Sequence, residues 1–173
     1  MSIFEKIDVS EIIKRHFATL SNADTKKIHW PEIRFFYIYP IILIFTLVSY
    51  YKHTLSKDMA DLFIQGFALM GGFLINALVM LMDRRRNYDD SKKYSERVSL
   101  IEETYVNTAF GVLVSFIIII FAGIAVGTTS GKCVSDFCTV GRVTITSLTY
   151  YCFVIFLHTL AMVLKRLDRI FRE

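Results

Sequence analysis

YVNTAFGVLVSFIIIIFAGIAVGTT, residues 105–129, runs for twenty-five residues without one charged side chain. Crossing the hydrocarbon core of a bilayer takes roughly 20 helical residues, with about 17 to 25 as the working range. Lipid offers nothing to a free amide, so the segment has to close its backbone hydrogen bonds within itself, as an α-helix. Three further stretches have similar length and texture: Phe35 to Tyr51, Met59 to Met82 and Val143 to Leu164. A helical bundle in water keeps a polar face on every helix, whereas these stretches are apolar on nearly all sides. Of 173 residues, 54% are hydrophobic, which is unusual for a water-soluble domain of this size. The sequence therefore predicts an all-α, polytopic membrane protein with four transmembrane helices over residues 35–164.

The first stretch is the shortest and contains Pro40, which removes one backbone hydrogen bond and bends the helix. A start at Pro31, just after Trp30, lengthens it, because proline suits the first helical position. Residues 1–20 carry Glu5, Lys6, Asp8, Glu11, Lys14 and Arg15 and no continuous apolar run, so no secretory signal peptide is expected there.

Lysine and arginine near the helix ends set orientation. Residues 1–34 hold six, the loop 83–104 six and the tail 165–173 four, together sixteen of the twenty. Lys52, Lys57, Lys132 and Arg142 make up the rest. The basic side is expected to be the cytoplasm, with both termini there and the chain in a bacterial inner membrane. Trp30, Phe35, Phe36, Tyr37 and Tyr39 would form the inner aromatic belt, and Tyr50 and Tyr51 the outer one. The net charge of +4 is then a topology signal and not a footprint for nucleic acid, because the basic loops carry nearly as many acids. Cys133 and Cys138 fall in the outer loop 130–142, where a disulfide is chemically permitted; a pair of free thiols is the alternative. Cys152 reads as a small buried apolar residue.

Residues 1–34 read as a cytoplasmic segment with an amphipathic helix: Val9, Ile12, Ile13, His16, Phe17 and Leu20 recur at helical spacing, with Glu11, Lys14 and Arg15 on the other face. Its apolar face must be buried in the membrane interface, against other helix ends or on a partner. In the inner loop 83–104, Tyr94, Val98, Ile101 and Tyr105 keep helical spacing. The third membrane helix is therefore expected to start early and, with the second, to form a hairpin extending into the cytoplasm. Ile12, Ile13, Phe17, Arg84, Arg85, Arg86, Lys92 and Lys93 are the candidate partner-facing residues, and residues 165–173 form a basic cytoplasmic tail.

Signatures of enzymes are missing: there is no phosphate-cradling glycine loop, no HExxH, no GxSxG and no histidine cluster at metal spacing. No catalytic residue, cofactor or metal is expected. Quinone-reducing disulfide-forming proteins share the length and helix number but need a CxxC pair in the first outer loop, and Lys52 to Asp58 holds no cysteine. A proton-coupled carboxylate transporter needs an acid deep in the bilayer, and Asp61 lies near the outer end of its helix. What remains are polar and small residues at helical spacing. Asp61, Gln65, Ala68, Gly72 and Asn76 form one stripe on the second helix. Asn107 or Thr108, Gly111, Ser115 and Ala122 form another on the third, and Thr144, Ser147, Tyr151 and His158 one on the fourth. Such stripes serve close helix packing or line a water-filled path. His158 is the candidate pH-sensitive group.

In size, in its four apolar segments and in the Arg84-Arg85-Arg86 inner hairpin, the chain resembles the small four-helix membrane proteins of bacterial anti-phage defence operons, such as the membrane subunit of the Kiwa system. The resemblance implies an inner-membrane homo-oligomer coupled to a soluble cytoplasmic protein and acting as a sensor of phage injection or a membrane-disrupting effector. Two functions follow as expectations: a sensor or scaffold that recruits a soluble partner, and a channel-like effector. An accessory subunit of a transport or membrane-assembly complex is the alternative. Membrane lipids are the expected surroundings, and no direct contact with nucleic acid is expected.

Overall fold

The computed structural model describes residues 9–19, 31, 34–51, 54–86, 95–129 and 136–172. They form five helices: α1 (Val9–Ala18), α2 (Tyr39–Tyr51, entered through a π-helical turn, Arg34–Ile38), α3 (Lys57–Arg86), α4 (Ser95–Thr129) and α5 (Asp136–Arg172). Four helical stretches are long and apolar enough to cross a membrane: Arg34–Tyr51, Lys57–Arg86, Arg97–Thr128 and Thr139–Ile170. The chain is thus a multi-pass membrane protein. Residues 87–91, where a turn is expected, lie outside the described residues, as do Cys133, Lys92 and Lys93.

Local chemistry accounts for the helix limits. The amide of Met59 donates to Ser56 Oγ at 3.3 Å, so Ser56 caps the start of α3. At α2 the π turn ends two residues before Pro40. The proline ring has no N–H for the Phe36 carbonyl and crowds it, and a wider turn at that point relieves the clash. Helix α4 starts at Ser95, ten residues ahead of the apolar run. This is where the Tyr94, Val98, Ile101 and Tyr105 spacing predicts an early start, and Ile101 is buried.

The chain packs as two units, and α3, α4 and α5 each contribute residues to both. The unit holding Pro31–Phe73 and Leu113–His158 has a core of Leu55, Ala60, Ala122 and Ala125, against which Phe63, Ile64, Val126, Ile145 and Tyr150 pack. The link between α2 and α3 is fixed there, because the amide of Leu55 donates to Thr146 Oγ1 at 3.0 Å. Rings of Phe63 and Phe67 meet those of Tyr150, Phe153 and Phe156 edge-on, at centroid distances from 4.9 to 6.1 Å. Gly71 allows α3 its close approach to α4: a Cβ there would stand 3.0 Å from Ser115 Oγ.

The other unit, drawn from Met1–Trp30, Leu74–Val112 and Thr159–Glu173, buries Leu74, Leu81, Ile101, Val106, Phe110 and Val163. A Cβ on Gly111 would come within 3.2 Å of Leu74 Cδ1. Ion pairs join helices in this unit, among them Arg85 to Glu102 at 3.1 Å and Arg166 to Glu103 at 3.2 Å.

Within each unit large apolar side chains point away from the protein, among them Leu43, Leu69, Phe73 and Ile120 in one and Met80 and Leu164 in the other. Thr104, Asn107, Thr108, Ser115, Ser147 and Thr149 are buried. The hydroxyls of Thr104, Thr108, Ser147 and Thr149 donate to the carbonyl four residues back. Each is satisfied within its own helix, so burial carries no orphan hydroxyl.

Candidate functional site

The three stripes differ in where they face. On α4, Asn107, Thr108, Gly111, Ser115 and Ala122 are all buried. On α5, Ser147 is buried and Thr144, Tyr151 and His158 are half-buried. On α3, Asp61 is half-buried, while Gln65, Ala68, Gly72 and Asn76 are exposed. A Cβ placed on Gly72 meets nothing within 4 Å, in contrast to its neighbour Gly71. Adjacent residues on a helix are turned by about 100°, so one glycine serves packing within the chain and the next lies on the open face. Two carboxamides, two small residues and no bulky side chain between them make this face unlike the Leu and Phe surface around it.

His158, the candidate pH-sensitive residue, is stacked on Phe36 at 4.1 Å, with Tyr37 edge-on at 6.0 Å. It borders a groove of about 640 Å³ lined mainly by apolar side chains, including Tyr39, Leu43 and Val154.

A polar cluster that the sequence reading did not assemble lies in the unit of α1. His16 has no exposed surface. Its Nδ1 is 2.7 Å from Asn107 Oδ1, and its ring stacks on Phe110 at 3.8 Å. Thr19 Oγ1 is 3.0 Å from the same Asn107 oxygen and 2.8 Å from the His16 carbonyl. Arg166 Nη2 donates to the Thr19 carbonyl at 3.1 Å and also pairs with Glu103. A cation at the end of α1 suits the partial negative charge there. Asn107 Nδ2 is buried without a partner. An orphaned buried amide costs about 1–3 kcal/mol.

Helix α1 thus packs on α4 through His16, which meets Asn107 and Phe110 well inside that helix. This contact differs from the expected apolar face: Val9 and Ile13 are exposed, and Ile12 and Phe17 are half-buried. Leu20 lies outside the described residues. Helical spacing did not single out the histidine. The useful signal was a titratable residue at the centre of an apolar stripe.

Of the other candidate partner-facing residues, Arg86 is exposed, Arg84 is half-buried and Arg85 is engaged with Glu102. Cys138 falls in α5, and its side chain lies outside the description, as does Cys133. Among the described residues no three His, Cys, Asp or Glu side chains gather closely enough to hold a metal ion. No family model, no curated protein and no solved structure matches the chain.

Proposed function

We propose that the protein works as a homo-oligomer in a bacterial inner membrane, as a sensor or scaffold that recruits a soluble cytoplasmic partner in antiviral defence. The observation that supports it is the outward face of α3, where Gln65, Ala68, Gly72 and Asn76 are exposed while the polar stripe of α4 is buried. In lipid a carboxamide without a partner is costly, and small residues spaced by four let helices approach closely. A second copy satisfies both needs. Each hydrogen bond across such a contact is worth about 0.6 kcal/mol. Several contacts must therefore act together, as closed ring symmetry provides. The partner site in this proposal is built from α1, the inner hairpin and the basic tail, and the exposed Val9, Ile13, Lys14 and Arg86 are consistent with it.

A channel-like effector is the second reading, favoured by the carboxamides themselves, which in a ring can line a shared path. Cysteine cross-linking in native membranes tests the oligomer. In a chain whose native cysteines are replaced by serine, Ala68→Cys should yield oxidised dimers, and Phe73→Cys, exposed but off the stripe, should not. Equal cross-linking at both positions would remove the stripe as the contact. Ion flux through the protein in liposomes then separates channel from scaffold.

A further inference from the structure

His16 and Asn107 are buried, apart from the exposed residues of the oligomer face and the partner surface, and they set a condition on α1. We infer that α1 is a proton-releasable clasp: it is docked on α4 while His16 is neutral, and acidification releases it.

The argument begins with burial. His16 has no exposed surface, and its ring lies flat on Phe110, with Phe17 edge-on at 5.7 Å. Adding a proton there places a full charge where water has been displaced, and burial disfavours the charged form. The docked geometry suits the neutral imidazole, whose Nδ1–H donates to Asn107 Oδ1 at 2.7 Å. That oxygen is a neutral acceptor that also meets Thr19 Oγ1.

The carboxylates of Glu102 and Glu103 are already engaged, although the end of α1, where His16 lies, suits positive charge. On α4, Glu103 is one turn before Asn107, and its carboxylate is held by Arg166 of α5 at 3.2 Å. Glu102 is held by Arg85 of α3. On α1 itself, Glu11 faces Arg15 at 3.9 Å between exposed side chains, and Lys14 is exposed. Arg166 lies against the end of α1 through the Thr19 carbonyl. A protonated His16 would join a guanidinium whose carboxylate is already engaged.

Once released into water, imidazole titrates at about 6.5. The proton therefore binds the released state more readily than the docked one. Docking is at full strength above that pH and is lost as the pH falls below it. The surface uncovered would carry Asn107 and Phe110, an amide and a ring otherwise closed off.

Distance measurement between two spin labels tests this in the full-length protein in lipid nanodiscs. The labels replace Lys14 on α1 and Lys165 on α5, both exposed, with the native cysteines changed to serine. At about pH 8 a narrow distance distribution is expected, and at about pH 5.5 a longer and broader population should grow at its expense. His16→Phe, which keeps a flat ring on Phe110 and cannot titrate, should hold the narrow distribution at both. Asn107→Asp sets a carboxylate against the imidazole and should keep α1 docked at the lower pH. Identical wild-type distributions at the two pH values would overturn the inference. So would a His16→Phe protein that shifts as the wild type does, or an Asn107→Asp protein that releases α1 on acidification.

Discussion

Gly71 and Gly72 are consecutive, chemically identical and on the same helix, yet replacing each with a larger residue should break different things. A Cβ on Gly71 would stand 3.0 Å from Ser115 Oγ and 3.9 Å from Ser115 Cβ. Ser115 is itself buried, so its hydroxyl must rotate away or α3 and α4 must move apart. Overpacking of this kind costs about 1–3 kcal/mol. Alanine recovers about 1 kcal/mol of helix propensity, so Gly71→Ala should come out between neutral and about 2 kcal/mol destabilised. Gly71→Leu drives three further carbons into the same contact and should lower the unfolding midpoint clearly. At Gly72 nothing lies within 4 Å, and Gly72→Leu leaves the fold of one subunit intact or slightly firmer. What it removes is the close approach of a second copy. Thermal unfolding in detergent and light scattering in the same detergent read the two effects separately. Gly71→Leu should lose stability first, and Gly72→Leu should lose mass at unchanged stability. Gln65→Ala or Asn76→Ala should weaken assembly more mildly, about threefold per contact for a bond of about 0.6 kcal/mol. A Gly72→Leu protein that assembles like the wild type would refute the reasoning.

Further expectations concern the charge pattern, the cysteines and the partner surface. Reporter fusions at both termini and in the loop 83–104 should all report cytoplasm, and an outward reporter after Glu173 would contradict the charge-based orientation. Mass spectrometry of unreduced protein should find Cys133 joined to Cys138, and two freely alkylated thiols would remove the bond. Changing Lys92 and Lys93 together with Ile12, Ile13 and Phe17 should abolish capture of the proposed soluble partner, and unaltered capture and phenotype would remove the partner surface. These positions are preferable to Arg84, Arg85 and Arg86, whose reversal also disturbs orientation.

The membrane helices were legible in the sequence because lipid imposes a length and an apolar composition that hydropathy reads directly. The early start of α4 was legible for a related reason, since Val98, Ile101 and Tyr105 keep the helical period upstream of the apolar run. Which face of a membrane helix meets the rest of the chain was not legible. In a soluble helix the polar side marks the outside, but here outward-facing Leu69 and Phe73 and inward-facing Phe67 and Leu74 are the same kind of residue. The adjacent glycines show the limit plainly, because only a neighbour's position, that of Ser115, distinguishes them. The polar stripes were visible as spacing, while their division into buried on α4 and exposed on α3 needed the packing. His16 was hidden for a third reason. Its partner Asn107 is ninety-one positions away, and no local pattern joins a histidine on an amphipathic stretch to an amide inside an apolar one.

Subunit counting bears most directly on whether the open face of α3 joins copies of this chain. Single-molecule photobleaching of the wild-type protein, labelled once per chain and extracted with its own lipids into nanodiscs, reports the number without detergent. One dominant step number above one is expected, falling to single steps in Gly72→Leu. Single steps for the wild type itself would contradict the assembly.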